Sequence, residues 1–97
     1  MVIKPLIEDT TIGLSVFLVT IKDGKELFVY NSKEALSKYL KNCNKSSDVD
    51  TIAQAIKVYT LFKMIPHAEF EGISYIFNVW KENPEFVNQI ELEYYNQ

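Results

Sequence analysis

The chain has 97 residues, 47% hydrophobic and 24% charged, with a net charge of −3. That is the profile of one soluble globular domain, residues 1–97, and it excludes a disordered tail. The lone Cys43 excludes an internal disulfide, and ten lysines scattered singly without one arginine argue against a nucleic-acid partner.

A core of this size supports about 5 to 10 kcal/mol of stability without a disulfide or metal staple. Charge is uneven: residues 1–63 hold nine Lys and seven acids, whereas residues 64–97 hold Lys81 against six Glu. The longest apolar run, Ile12 to Ile21, is about half the roughly 20 residues a membrane span needs. Glu8 and Asp9 precede it where a signal peptide would carry a basic flank, so the expectation is a cytoplasmic protein with no membrane association.

In chain order, VIKPLI comes first, and Pro5 removes a ladder donor, which suits an edge strand or an extended arm. Ser15 to Tyr30 reads as a β-hairpin around Asp23-Gly24, the pair favoured where both turn residues need positive φ. A two-residue loop sets Ile21 opposite Glu26, Val19 opposite Phe28 and Phe17 opposite Tyr30. Alternation then places Phe17, Val19, Ile21, Phe28 and Tyr30 on a core face and Val16, Leu18, Leu27 and Val29 on a second apolar face. In so short a chain the second face calls for either helices on both sides of the sheet or another protein.

Ser32 caps a helix over KEALSKYLK, with Ala35, Leu36, Tyr39 and Leu40 on one side; an Asn-rich loop after Lys41 ends it and leaves Cys43 exposed. A second helix runs from Ser47 or Asp48 to about Met64 and stops at Pro66. Its main stripe is Val49, Ile52, Ala53, Ile56, Tyr59 and Thr60, with Ala55, Val58, Phe62 and Ile65 beside it. So wide an apolar surface predicts a helix buried on two sides. Phe70, Ile73, Phe77 and Trp80 recur at spacings of three and four, which favours a helix over 68–82 despite Gly72. Asn83-Pro84 starts a last helix with Phe86, Val87, Ile90 and Tyr94 inside, although IELEYY also fits a terminal strand.

The fold class is therefore α+β: a small antiparallel sheet over residues 12–30 packed against three to four helices. No residue pattern carries chemistry. His67 is the only histidine, no second Cys or His supplies a metal set, and no serine sits in a nucleophile motif. The expectations are no catalytic residue, no metal and no cofactor, hence not an enzyme. The leading expectation is a non-enzymatic protein–protein interaction module, of the kind that inhibits or regulates a larger protein or enzyme in phage and mobile-element systems. It would use Val16, Leu18, Leu27 and Val29, with Glu91, Glu93, Tyr94 and Tyr95 as an acidic, tyrosine-bearing dock, on a protein partner or on itself as a homodimer. The alternative is a small ligand-binding or enzymatic domain with a pocket near His67.

Overall fold

The computed structural model describes residues 2–21 and 23–72. Its elements are β1 (Val2–Asp9), β2 (Leu14–Thr20), β3 (Glu26–Tyr30), α1 (Lys33–Asn44), α2 (Val49–Met64) and β4 (His67–Glu69). They build a four-stranded mixed sheet in the order β1-β2-β3-β4, antiparallel except for the parallel β3/β4 pair. Two helices lie among the described residues, between β3 and β4, in place of the three to four expected.

β1 is an edge strand, as Pro5 requires. A bulge between Pro5 and Ile7 breaks its register with β2. The extra residue turns the strand over: Ile3 packs on one face of the sheet and Ile7 on the other.

The β2–β3 turn differs from the expected one. Ile21 donates to the Lys25 carbonyl (2.9 Å) and its own carbonyl accepts from Gly24 N–H (2.9 Å), so three residues, 22–24, lie between the last paired positions. Gly24 has φ +76°, but no described non-glycine residue has positive φ, so Asp23 cannot take the first central position of a type I′ turn. The pairs become Val19 with Leu27, Leu18 with Phe28, Phe17 with Val29 and Val16 with Tyr30. A slip of one residue sends every β3 side chain to the opposite face. Leu27 and Val29 thus join Phe17, Val19 and Ile21, together with Ala68 and Phe70. Phe28 and Tyr30 join Leu14 and Val16 under the helices, against Leu36 and Val58. Both sheet faces are buried.

Ser32 caps α1 by accepting from Ala35 N–H (3.2 Å), and the Glu69 carboxylate accepts from Lys33 N–H (2.6 Å), a negative group where the helix dipole favours one. The helix runs a turn beyond Lys41 and carries Cys43 into the interior, which corrects the expected exposed thiol. Asp48 caps α2, accepting from Asp50 N–H and the Thr51 hydroxyl. The packing of α2 is also a correction. Ala55 and Val58 are buried with Leu61, Phe62 and Ile65 partly so, whereas of the main stripe expected inside Val49, Ala53, Ile56, Tyr59 and Thr60 are exposed and Ile52 is half-buried. One helix layer on one sheet face needs one inner side only.

After Met64, Pro66 directs the chain into the sheet: its carbonyl accepts from Phe28 N–H (2.9 Å), and Phe70 N–H donates to the Tyr30 carbonyl (2.9 Å). Residues 67–69 are therefore a strand and Glu71-Gly72 a turn, where a helix from residue 68 was expected. The remainder of that expected helix, and the expected helix or strand after Pro84, fall outside the described residues.

Candidate functional site

The residues expected to meet a partner are placed apart. Val16 lies under the helices with Phe28, Leu27 and Val29 lie on the opposite face with Phe17, and all three are buried. Leu18 is half-buried. No single exposed surface joins the four, because the three-residue turn moved β3 across. Glu91, Glu93, Tyr94 and Tyr95 lie outside the described residues.

At the other expected site, His67 is solvent-exposed at the start of β4. Its ring stacks on Phe62 with centroids 4.2 Å apart, and Nδ1 is 3.2 Å from the Tyr30 hydroxyl. Tyr30, Phe28 and Phe62 complete an aromatic cluster with centroids 5.9 to 6.0 Å apart between sheet and α2. Burial, and secondarily the Glu69 charge, raises the Tyr30 pKa above its ordinary value. Glu69 itself is engaged at the start of α1. These groups hold the end of the sheet to α2 and to α1. Among the described residues no group of three or more His, Cys, Asp or Glu side chains is placed to hold a metal ion, and no helix is long and apolar enough to cross a membrane.

Among the described residues, two recesses lie beside α1, and His67 lines neither. One, of about 760 Å³, is polar and mixes Lys33, Lys38 and Lys41 with Glu34, Glu69 and Glu71. The other, of about 440 Å³, is an apolar groove between α1 and α2, walled by Leu40, Cys43, Ile52, Ala55, Ile56 and Tyr59. Beside it the outer side of α2 presents large apolar side chains to solvent: Val49 is 76% exposed, Ile56 61%, Tyr59 50% and Met64 77%. Positions 49, 52, 56 and 59 keep to one side of a helix, so Val49, Ile52, Ile56 and Tyr59 form with the groove one surface about 15 Å long, while Met64 stands to its flank. Lys63 reaches back along it, its Nζ 5.6 Å from the centre of the Tyr59 ring. Scattered exposed apolar residues are ordinary on a protein surface, whereas these form an ordered row beside an apolar groove.

The Val49–Ile52–Ile56–Tyr59 stripe of this surface is visible in the sequence, where its periodicity predicts an interior face; the structure turns it toward solvent. The polar Thr60 and the charged Lys63 continue that stripe, whereas Ala55, Val58, Phe62 and Ile65 continue without a charge. That contrast is the signal for which side faces water.

No protein-family model matches the chain, and neither a curated protein nor a solved structure shows significant similarity to it. A functional reading therefore rests on the chain's own residues.

Proposed function

We propose that this protein is a non-enzymatic protein-interaction module whose docking surface is the outer side of α2 with the adjoining α1–α2 groove. The observation that supports the reading is the exposure of Val49, Ile56, Tyr59 and Met64 along one helix. These side chains keep 50 to 77% of their surface in water, so covering what remains exposed favours a complex by about 25 cal/mol per Å² of apolar area removed from water. A groove beside an apolar helix face also suits helical packing by a partner, in which side chains spaced three and four apart enter the recess. Inhibition or regulation of a larger protein is the activity such a module can perform without chemistry of its own, by occupying a surface.

The test is a tagged pull-down from the lysate of the cells that make the protein, using wild type, Ile56→Asp and the double variant His67→Ala/Glu69→Gln. The expected result is that Ile56→Asp loses the retained partners while the His67/Glu69 variant keeps them. Equal retention by Ile56→Asp, or loss confined to the His67/Glu69 variant, overturns the reading and moves the site to the end of the sheet.

A further inference from the structure

The sheet has two apolar faces, and the described elements supply a cover for only one. α1 and α2 lie in the crossover from β3 to β4, and the helix residues that meet the sheet pack on the face carrying Val16, Phe28 and Tyr30. On the opposite face Phe17, Val19, Ile21, Leu27, Val29, Ala68 and Phe70 form a cluster to which neither helix contributes a residue. Every member belongs to a strand or directly follows one. These side chains are nevertheless closed to water: Val19 and Val29 are 0% exposed, Leu27 2% and Phe17 3%. Side chains stand roughly perpendicular to a sheet, so neighbours on the same face shield their flanks and leave their ends in water. Closing the ends takes a further layer packed on that face. The burial is that of a single chain, so a second copy is not its source.

Outside the described residues the chain has Met1, Lys22 and the run 73–97. Two single residues cannot close over seven side chains, whereas the run is long enough to do so. It also begins in the right place. Ala68 and Phe70 already lie on the face in question, and Glu71-Gly72 forms a turn with Gly72 at φ +72°, which takes the backbone out of the line of β4. The run carries Phe77, Trp80, Phe86, Val87 and Ile90, the apolar side chains that such a face requires. We infer that residues 73–97 of the same chain are the cover of this second face and seat apolar side chains on Phe17, Val19, Leu27 and Val29. They do not cover the outer side of α2, where Val49 stays 76% exposed, Ile56 61% and Met64 77%. The second face is then closed from within and offers no surface to a partner. That leaves the α2 row, among the described residues, as the apolar area open to docking.

The experiment is solution NMR of the full wild-type chain with labelled Val, Leu and Ile methyl groups, read for nuclear Overhauser contacts to assigned aromatic protons. Trp80 is the only tryptophan, so its indole signals identify one part of the run without ambiguity. The expected result is contacts from the rings of residues 73–97 to the methyl groups of Val19, Leu27 and Val29, with none to those of Val16 on the helix-covered face. A sample mixing labelled and unlabelled chains separates the sources: contacts within one chain support the inference, and contacts between chains overturn it in favour of a second copy. Contacts of the run with Ile52 and Ile56 in place of Val19 and Val29 overturn it as well, and so does the absence of any contact between the run and the sheet. The pull-down with Ile56→Asp reads the α2 face separately, so either conclusion can fail while the other stands.

Discussion

Val29 and Ile56 are both apolar residues at the centre of an element, and substitution by aspartate should affect them in opposite ways. Val29 is fully buried between Phe17 and its neighbours on the sheet. Truncation to alanine removes two methyl groups and leaves a gap, a loss of about 2 kcal/mol from transfer and cavity terms together. Aspartate removes the same contacts and adds an unpaired carboxylate in an apolar interior, for a total of about 5 kcal/mol. That equals half to all of the 5 to 10 kcal/mol that a chain of this length holds, so Val29→Asp should be unfolded or have a midpoint lowered by at least about 3 M urea. Ile56 already has 61% of its surface in water, and Ile56→Asp should cost no more than about 1 kcal/mol. Urea denaturation followed by circular dichroism reads all three variants. With a slope of about 1 to 1.5 kcal/mol per molar for a domain of this size, Val29→Ala should lower the midpoint by about 1.5 M. A folded Val29→Asp with an unchanged midpoint would place that side chain on the surface and return β3 to the two-residue-turn register.

The turn gives a second test. Nothing lies within 4 Å of a Cβ built on Gly24, so Gly24→Ala should cost only the left-handed backbone, about 1 kcal/mol, and Asp23→Gly should gain nothing because Asp23 does not need positive φ. Ser32→Ala should lower stability by about 1 kcal/mol through the lost cap of α1, measured by the same denaturation. Cys43 should react slowly with a thiol reagent in the native protein and rapidly in urea; equal rates would put it back in an exposed loop. Burial, with a hydrogen bond donated by the hydroxyl to the neighbouring Cys43 and the Cys43 charge as lesser causes, pushes the Tyr39 hydroxyl up to about 12, above the ordinary value of 10.0. The unfolded chain therefore releases this proton first as pH rises, so the associated stability is complete below pH 10 and is lost between 10 and about 12. Tyr39→Phe should remove that part of the alkaline decline, and an unchanged decline would contradict the burial of the ring.

The parts of the fold that were legible in the sequence are those fixed by one residue's local chemistry. Pro5 marked an edge strand, Ser32 and Asp48 marked helix starts, and Pro66 marked the end of α2, because each acts through its own backbone or side chain. Asp23-Gly24 located the turn for the same reason. The loop length was not legible, since Gly24 with positive φ serves a two-residue or a three-residue loop equally well, and one residue of slip decides which face β3 presents. On α2 apolar residues surround much of the helix, so periodicity found two stripes but not which of them the sheet would take. β4 has three residues, too few to show any period, and exists because the chain after Pro66 lies alongside β3. The candidate surface was thus half read: its residues were identified as a stripe, while their exposure follows from having a single sheet face for both described helices to cover.

The most direct measurement of where the protein makes its contacts is photocrosslinking inside the cells that produce it. A benzophenone side chain replaces Ile56 in one version and His67 in another, each expressed at the natural level. Docking through α2 predicts a discrete adduct from position 56, either of twice the chain's 11.3 kDa mass for a second copy or of a larger fixed size for another protein, and no adduct from position 67. An adduct from position 67 with none from position 56 would contradict it.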